Sequence, residues 1–231
     1  MSFQPLPVGM TKLLLPLFAV GLAACASDAG DETGLVGSAI VKGSESSAAE
    51  DSVVLVLHYD ALATGGRAAS GCTGTMLSPR LVLTARHCVA ATDEGAACDS
   101  RGRPVAGGEV SSDHDPKAIY VFSGRERPDF RVAPLRPSRG QEILTTGART
   151  LCDNDIALVL LDGPLPGAKI APVRLEAPAR EGERVTLVGW GITEDDPNPG
   201  ARRQRSGVEI VDVGPGEQLG PAEFRVGEGT C

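Results

Sequence analysis

Apolar residues in this chain fall into short runs, separated by glycine, proline and charge, and the runs have the length of strands rather than of helices. Ser52-Val53-Val54-Leu55-Val56-Leu57-His58-Tyr59 predicts a strong strand. Leu81-Val82-Leu83 predicts another, and the stretch around Cys72 reads as its partner in a hairpin. A short strand is expected at Ile119-Tyr120-Val121-Phe122. Ile156-Ala157-Leu158-Val159-Leu160-Leu161 is continuously apolar, which predicts a strand buried on both faces. The run from Arg184 to Gly191 is a further strand and ends in the only tryptophan, Trp190. Strands over 207–213 and 223–227 close the series. Between these, 61–70 reads as a turn, 91–117 as loop, and 124–150 as a long connection rich in Arg and Pro. Gly163-Pro164-Leu165-Pro166-Gly167 reads as a linker between two halves. An acidic loop (194–200) and a basic one (202–205) follow Trp190.

Composition sharpens that picture. Gly 29 and Pro 17 make up about a fifth of 231 residues, well above the usual roughly 12%. With short Val/Ile/Leu runs between the turns, this points to an all-β fold. Hydrophobic residues at 42% can supply a core, and aromatics at only 3% leave aliphatic side chains to fill it. A net charge of -8 argues against nucleic acid as a partner, because phosphates call for a basic surface.

The N-terminus has the pattern of a processing segment. Lys12 precedes the apolar run 13–21, which is too short for a permanent membrane span. The run ends in Leu22-Ala23-Ala24-Cys25, which resembles a bacterial lipoprotein box, with residues 1–24 removed and Cys25 acylated to anchor the chain to a membrane. An ordinary export signal with an incidental cysteine is the alternative. Either way the mature chain leaves the cytoplasm, as a cell-envelope lipoprotein or a secreted protein, and disulfides are permitted. Residues 25–39 are small and polar and read as a tether.

Two stretches carry candidate chemistry. Gly71 to Val89 places His87 beside Cys88, with Cys72 sixteen positions earlier on the neighbouring strand. A Cys72–Cys88 disulfide would be worth ~3 kcal/mol on the chain-entropy account and would pin the backbone at His87, which suits a general base. A core histidine beside a structural cysteine is the competing reading. In the second stretch, Asp155 stands at the mouth of the buried run 156–161, where a carboxylate is costly unless paired. A histidine ring N–H is the obvious partner, and Asp155 therefore reads as the group orienting His87. Asp153 has the blander reading of a turn residue. His58 reads as a packed or edge-strand residue and His114 as solvated surface; no metal-ligand spacing joins the three histidines, and no cofactor is indicated.

Four stretches, in order, resemble the trypsin/chymotrypsin-like serine endopeptidases. Ile40-Val41-Lys42-Gly43 is similar to the mature N-terminus freed on zymogen activation, which marks Ile40 as the activation N-terminus. Thr84-Ala85-Arg86-His87-Cys88 is similar to the catalytic histidine motif with its disulfide to Cys72. Asp155-Ile156-Ala157-Leu158 is similar to the catalytic aspartate motif, and Val188-Gly189-Trp190-Gly191 to the strand opening a second barrel. The resemblance implies two six-stranded antiparallel β-barrels, a polypeptide substrate, His87 as general base and Asp155 as its orienter. The peptidase domain would run over 40–231.

The family's nucleophilic serine follows a cysteine in the position of Cys231, within a glycine-rich motif, and the sequence stops at that cysteine. The nucleophile is thus expected beyond residue 231, the second barrel is expected to be incomplete, and residues 1–231 alone are expected to be inactive. Ser123 and Ser206 lack the flanking pattern. A non-catalytic homologue binding partners at the cell surface is the alternative. With Cys25 reserved for lipid and Cys231 without its family partner, Cys98 and Cys152 are the remaining pair, and that bridge would brace the turn leading to Asp155.

Overall fold

The computed structural model describes residues 40, 42–61, 67–93, 95–129, 135–191 and 200–227, all within the compact unit Asp31–Cys231. The export signal, Cys25, the tether, Val41, residues 194–199 of the acidic loop and Cys231 lie outside the described residues. The described chain is built from strands. β1 (Ser44–Glu45), β2 (Val53–Ala61), β3 (Arg67–Ser78) and β4 (Leu81–Thr84) come first. β5 (Ala90–Thr92), β6 (Ala96–Cys98), β7 (Pro104–Gly107) and β8 (Val110–Asp113) follow. Then come β9 (Ile119–Phe122), β10 (Ser138–Thr145) and β11 (Ala157–Leu161). β12 (Arg184–Gly189), β13 (Arg203–Val213) and β14 (Phe224–Val226) complete the order.

Six of these close into an antiparallel barrel in the order β10-β11-β4-β3-β2-β9. The apolar run of β2 explains how the barrel meets the rest of the molecule. Val54 and Val56 point into the barrel with Met76, Val82, Ile119 and Val159. Leu55 and Leu57, on the opposite face, pack with Phe122 and Trp190. Burial on both faces is what a continuous rather than alternating apolar strand predicts. β11 departs from that expectation: Ala157, Val159 and Leu161 are buried, Leu158 and Leu160 are half-buried, and Ile156 is 48% exposed.

The second half is a four-stranded sheet in which β13 pairs with β1, β12 and β14. The protein is all-β, and its described residues form one closed barrel, this four-stranded sheet and two two-stranded ribbons. β13 starts earlier than expected and takes in part of the supposed basic loop. Its neighbour Arg202 is fully buried, bonded to Ser46 Oγ (2.7 Å), the Val53 and Ser47 carbonyls (2.7 and 2.8 Å) and Asp51 (3.0 Å), with its guanidinium 5.6 Å from the Trp190 ring centroid. The basic stretch is therefore in part an internal bolt, because a buried guanidinium survives only when its donors and charge are matched.

Three other expectations change. The loop 91–117 contains two ribbons, β5–β8 and β6–β7. The connection 124–150 contains β10, a full barrel strand whose inward positions Ser138 and Gly140 are small, followed by a bulge before Glu142. An apolar alternation could not reveal it. The 163–167 segment buries Leu165 in the barrel core, with its amide donating to the Pro79 carbonyl at 3.0 Å.

Candidate active site

Strand pairing brings the two candidate residues together. β4 and β11 are antiparallel neighbours with Thr84 opposite Ala157. The chain leaving β4 and the chain entering β11 therefore meet at the same end of the barrel. His87 lies three residues beyond Thr84, in a single 3-10 turn over Arg86–Cys88, and Asp155 two residues before Ala157. The His87 ring Nδ1 lies 2.7 Å from Asp155 Oδ2, and the His87 amide donates to Asp155 Oδ1 at 2.9 Å. An ionised carboxylate only accepts, so Nδ1 carries the proton and Nε2 is left as an acceptor facing outward from the pair.

The electrostatics agree with that assignment. Burial pushes the Asp155 carboxyl upward, yet the His87 ring, the His87 amide, the imidazole charge and the Arg86 amide together hold it below the ordinary carboxylate value. The pair is accessible, with 29% of the His87 side chain and 37% of the Asp155 side chain exposed.

Two disulfides frame the site. Cys72–Cys88 fixes the residue after His87 to β3, and Cys98–Cys152 fixes the turn before Asp155 to β6. The cluster Cys72, His87 and Cys88 has the compactness of a metal site, but both sulfurs are spent in the disulfide and offer no thiolate. His87 separates two cavities of about 350 Å³ each. One is walled by Ile40, Thr73, Cys88 and the stretch from Thr186 in β12 to Gly191 just beyond it; the other by Leu151, Asp155, Gln218 and Glu223. Among the described residues no serine lines either cavity. Ser123 instead donates to the Pro166 carbonyl and Ser206 bonds Thr186.

Ile40 is buried in the wall of the first cavity. Asp153, read as a plain turn residue, does more than turn the chain. It adopts a left-handed backbone (φ 57), its Oδ1 accepts from the Ala222 amide at 2.8 Å, and its own amide donates to Glu223 Oε1 at 3.1 Å. Glu223 Oε2 accepts from the Gly220 amide at 2.8 Å, so the aspartate turn is clasped to the loop between β13 and β14. His114 corrects its expectation: it is half-buried, stacked on the buried His58 with ring centroids 3.6 Å apart, and not solvated surface. Arg86 and Glu223 carried no signal in the sequence, since each acts through partners far away in the chain.

The trypsin family model matches residues 40–219. Phenoloxidase-activating factor 3 of Holotrichia diomphalia is 30% identical over 135 residues, covering 57% of this chain and 37% of that protein. Trypsin eta of Drosophila erecta is 29% identical over 153 residues, covering 62% of this chain and 49% of that protein. The matched part of the chain thus spans less than half the length of these curated relatives. Among solved structures, the scabies mite inactivated protease paralogue S-D1 superposes with a TM-score of 0.52 at 19% identity, covering 75% of this chain and 64% of that one, a likeness of fold alone.

Proposed function

The chain belongs to the trypsin family, and from that membership we propose that it is the body of a serine-type endopeptidase in which His87 is the general base and Asp155 its orienter. The observation that carries this reading is the 2.7 Å contact between His87 Nδ1 and Asp155 Oδ2 at the mouth of a cleft. Nε2 is then free to take the proton of a nucleophilic hydroxyl and later return it to the leaving amine, while the carboxylate stabilises the imidazolium formed between. By the motif order of the family, that hydroxyl belongs to a serine following Cys231. On this reading residues 1–231 by themselves hydrolyse nothing by this route. The substrate is a polypeptide.

The reading extends to the flanks. Residues 1–24 act as an export signal, Cys25 carries lipid at a bacterial cell envelope, 25–39 form a tether, and the peptidase domain begins at Ile40, whose amine is freed on activation. The two disulfides suit an oxidising compartment. A second reading, a non-catalytic surface homologue, is favoured by the 27% identity over 148 residues to a Bos taurus relative named inactive serine protease PAMR1.

Expression with the coding sequence that follows the Cys231 codon tests the choice. A fluorogenic peptide should be cleaved by that product. His87→Ala should lower kcat by several powers of ten and Asp155→Asn by about 10⁴-fold, because the imidazole is then held in the wrong tautomer. Absence of hydrolysis, or hydrolysis indifferent to His87→Ala, favours the non-catalytic reading.

A further inference from the structure

The residue directly before His87 is an arginine, and it is buried, with 5% of its side chain exposed. A buried guanidinium is expensive unless its charge and donors are matched. Here they are matched by two different segments. Nε and Nη2 lie 3.4 and 3.2 Å from Asp113 Oδ1, and Nη1 donates to the Ala148 carbonyl. Asp113 ends β8, and the next residue, His114, donates its amide to the Val89 carbonyl at 2.9 Å, just past the 3-10 turn. Ala148 stands in the turn that leads through Cys152 to Asp155 and is held to β8 by the Val110 amide donating to the Arg149 carbonyl at 3.0 Å. The side chain of Arg86 therefore ties together the turn carrying His87 and the approach to Asp155.

We propose that Arg86 is a positioning residue of the His87–Asp155 pair: clamped between Asp113 and the Ala148 carbonyl, it sets the orientation in which the Arg86–Cys88 turn presents the His87 amide and imidazole to Asp155. The proposal rests on the reading of His87 and Asp155 as the working pair. A hydrogen-bonding shell behind a reactive side chain fixes its geometry without touching substrate. Arginine is suited because its planar fork can serve a carboxylate and a carbonyl at once, which a lysine ammonium cannot do in the same geometry.

Nuclear magnetic resonance on the 231-residue chain reads the pair without requiring catalysis. Two signals are followed, the His87 Nδ1–H proton and the pH titration of the Asp155 carboxyl carbon. In Arg86→Met the proton signal should broaden by exchange with water, and the proton affinity of Asp155 should rise by about tenfold, one pKa unit. Arg86→Lys should recover part of both, and Asp113→Asn should shift both in the same direction as Arg86→Met. Arg80→Met is the comparison, because Arg80 likewise anchors a carbonyl, that of Leu161 (2.9 and 2.7 Å), at the other end of the β4–β11 pair. It should lower stability and leave both signals at their original values. If Arg86→Met and Asp113→Asn behave as Arg80→Met does, Arg86 is structural only and the proposal fails. If Arg86→Met does not fold, Asp113→Asn decides by the same criterion. An unaltered chain lacking both the Nδ1–H signal and a depressed Asp155 would overturn the paired reading itself along with this one.

Discussion

The two disulfides allow a quantitative comparison, because they close loops of very different length within one fold. Cys72 and Cys88 are separated by 16 residues, Cys98 and Cys152 by 54. Loop-closure entropy then gives the first about 3 kcal/mol of stabilisation at 25 °C and the second about 4 kcal/mol. Replacing Cys98 and Cys152 together by Ala should therefore cost about 1 kcal/mol more than replacing Cys72 and Cys88. Burial reinforces the order, since Cys152 is wholly buried while Cys72 is half-buried, so the longer bridge also leaves the tighter cavity. Urea unfolding, followed by far-UV circular dichroism and by Trp190 fluorescence, gives both numbers. Coincidence of the two probes checks that one transition is being measured. Each variant needs its own denaturant slope, because removing a cross-link expands the unfolded chain. A second effect is local: Cys152 is three residues from Asp155, so amide exchange at Ile156 and Ala157 should quicken more in the Cys98/Cys152 variant. Should the Cys72/Cys88 variant prove the less stable of the two, loop entropy does not govern these bridges and the ranking is refuted.

Two further outcomes follow from single positions. Gly102 and Gly95 both have positive φ (68 and 65), but a Cβ at Gly102 would meet Asp153 Oδ2 at 1.8 Å whereas one at Gly95 meets nothing within 4 Å. Gly95→Ala should cost roughly 1–2 kcal/mol from conformation alone, and Gly102→Ala clearly more, since it also displaces the Asp153 carboxylate from the Ala222 amide; equal shifts in urea midpoint would sink this account. In acid, Asp155 contributes stability that is fully present above its unfolded value near pH 4 and is lost as pH falls through its lower folded value, so Asp155→Asn should flatten the decline in stability as pH falls below about 4. Asp99, pulled down to about 2 by the Arg103 side chain, and Glu50 and Glu183, also lowered, contribute to the slope that remains; a decline equally steep in Asp155→Asn and the unaltered chain would show that the His87 contact does not hold the carboxyl down.

Much of this protein was legible in one dimension, and the reason is local. The apolar runs of β2, β4 and β11 are long enough to mark barrel strands unaided. His87 and Asp155 are each fixed to the end of such a strand, so finding the strands nearly finds the pair. The Cys72–Cys88 and Cys98–Cys152 pairs were anticipated through the resemblances, which set Cys25 and Cys231 aside. The fold withheld whatever depends on partners far off in sequence. β10 lines the barrel with Ser138, Gly140 and, after the bulge, a single large apolar residue, Ile143, so its inward face carries too little hydrophobic pattern to mark a strand by itself. Arg202 reads as a member of a basic loop, yet its charge is matched by Asp51, some 150 residues earlier, and it is the largest of the fully buried side chains among the described residues. Arg86, Asp153 and Glu223 follow the same rule. The energy of a buried charge or a clasped turn is set by which acceptors the tertiary structure delivers to it, and those acceptors have no fixed spacing in the sequence.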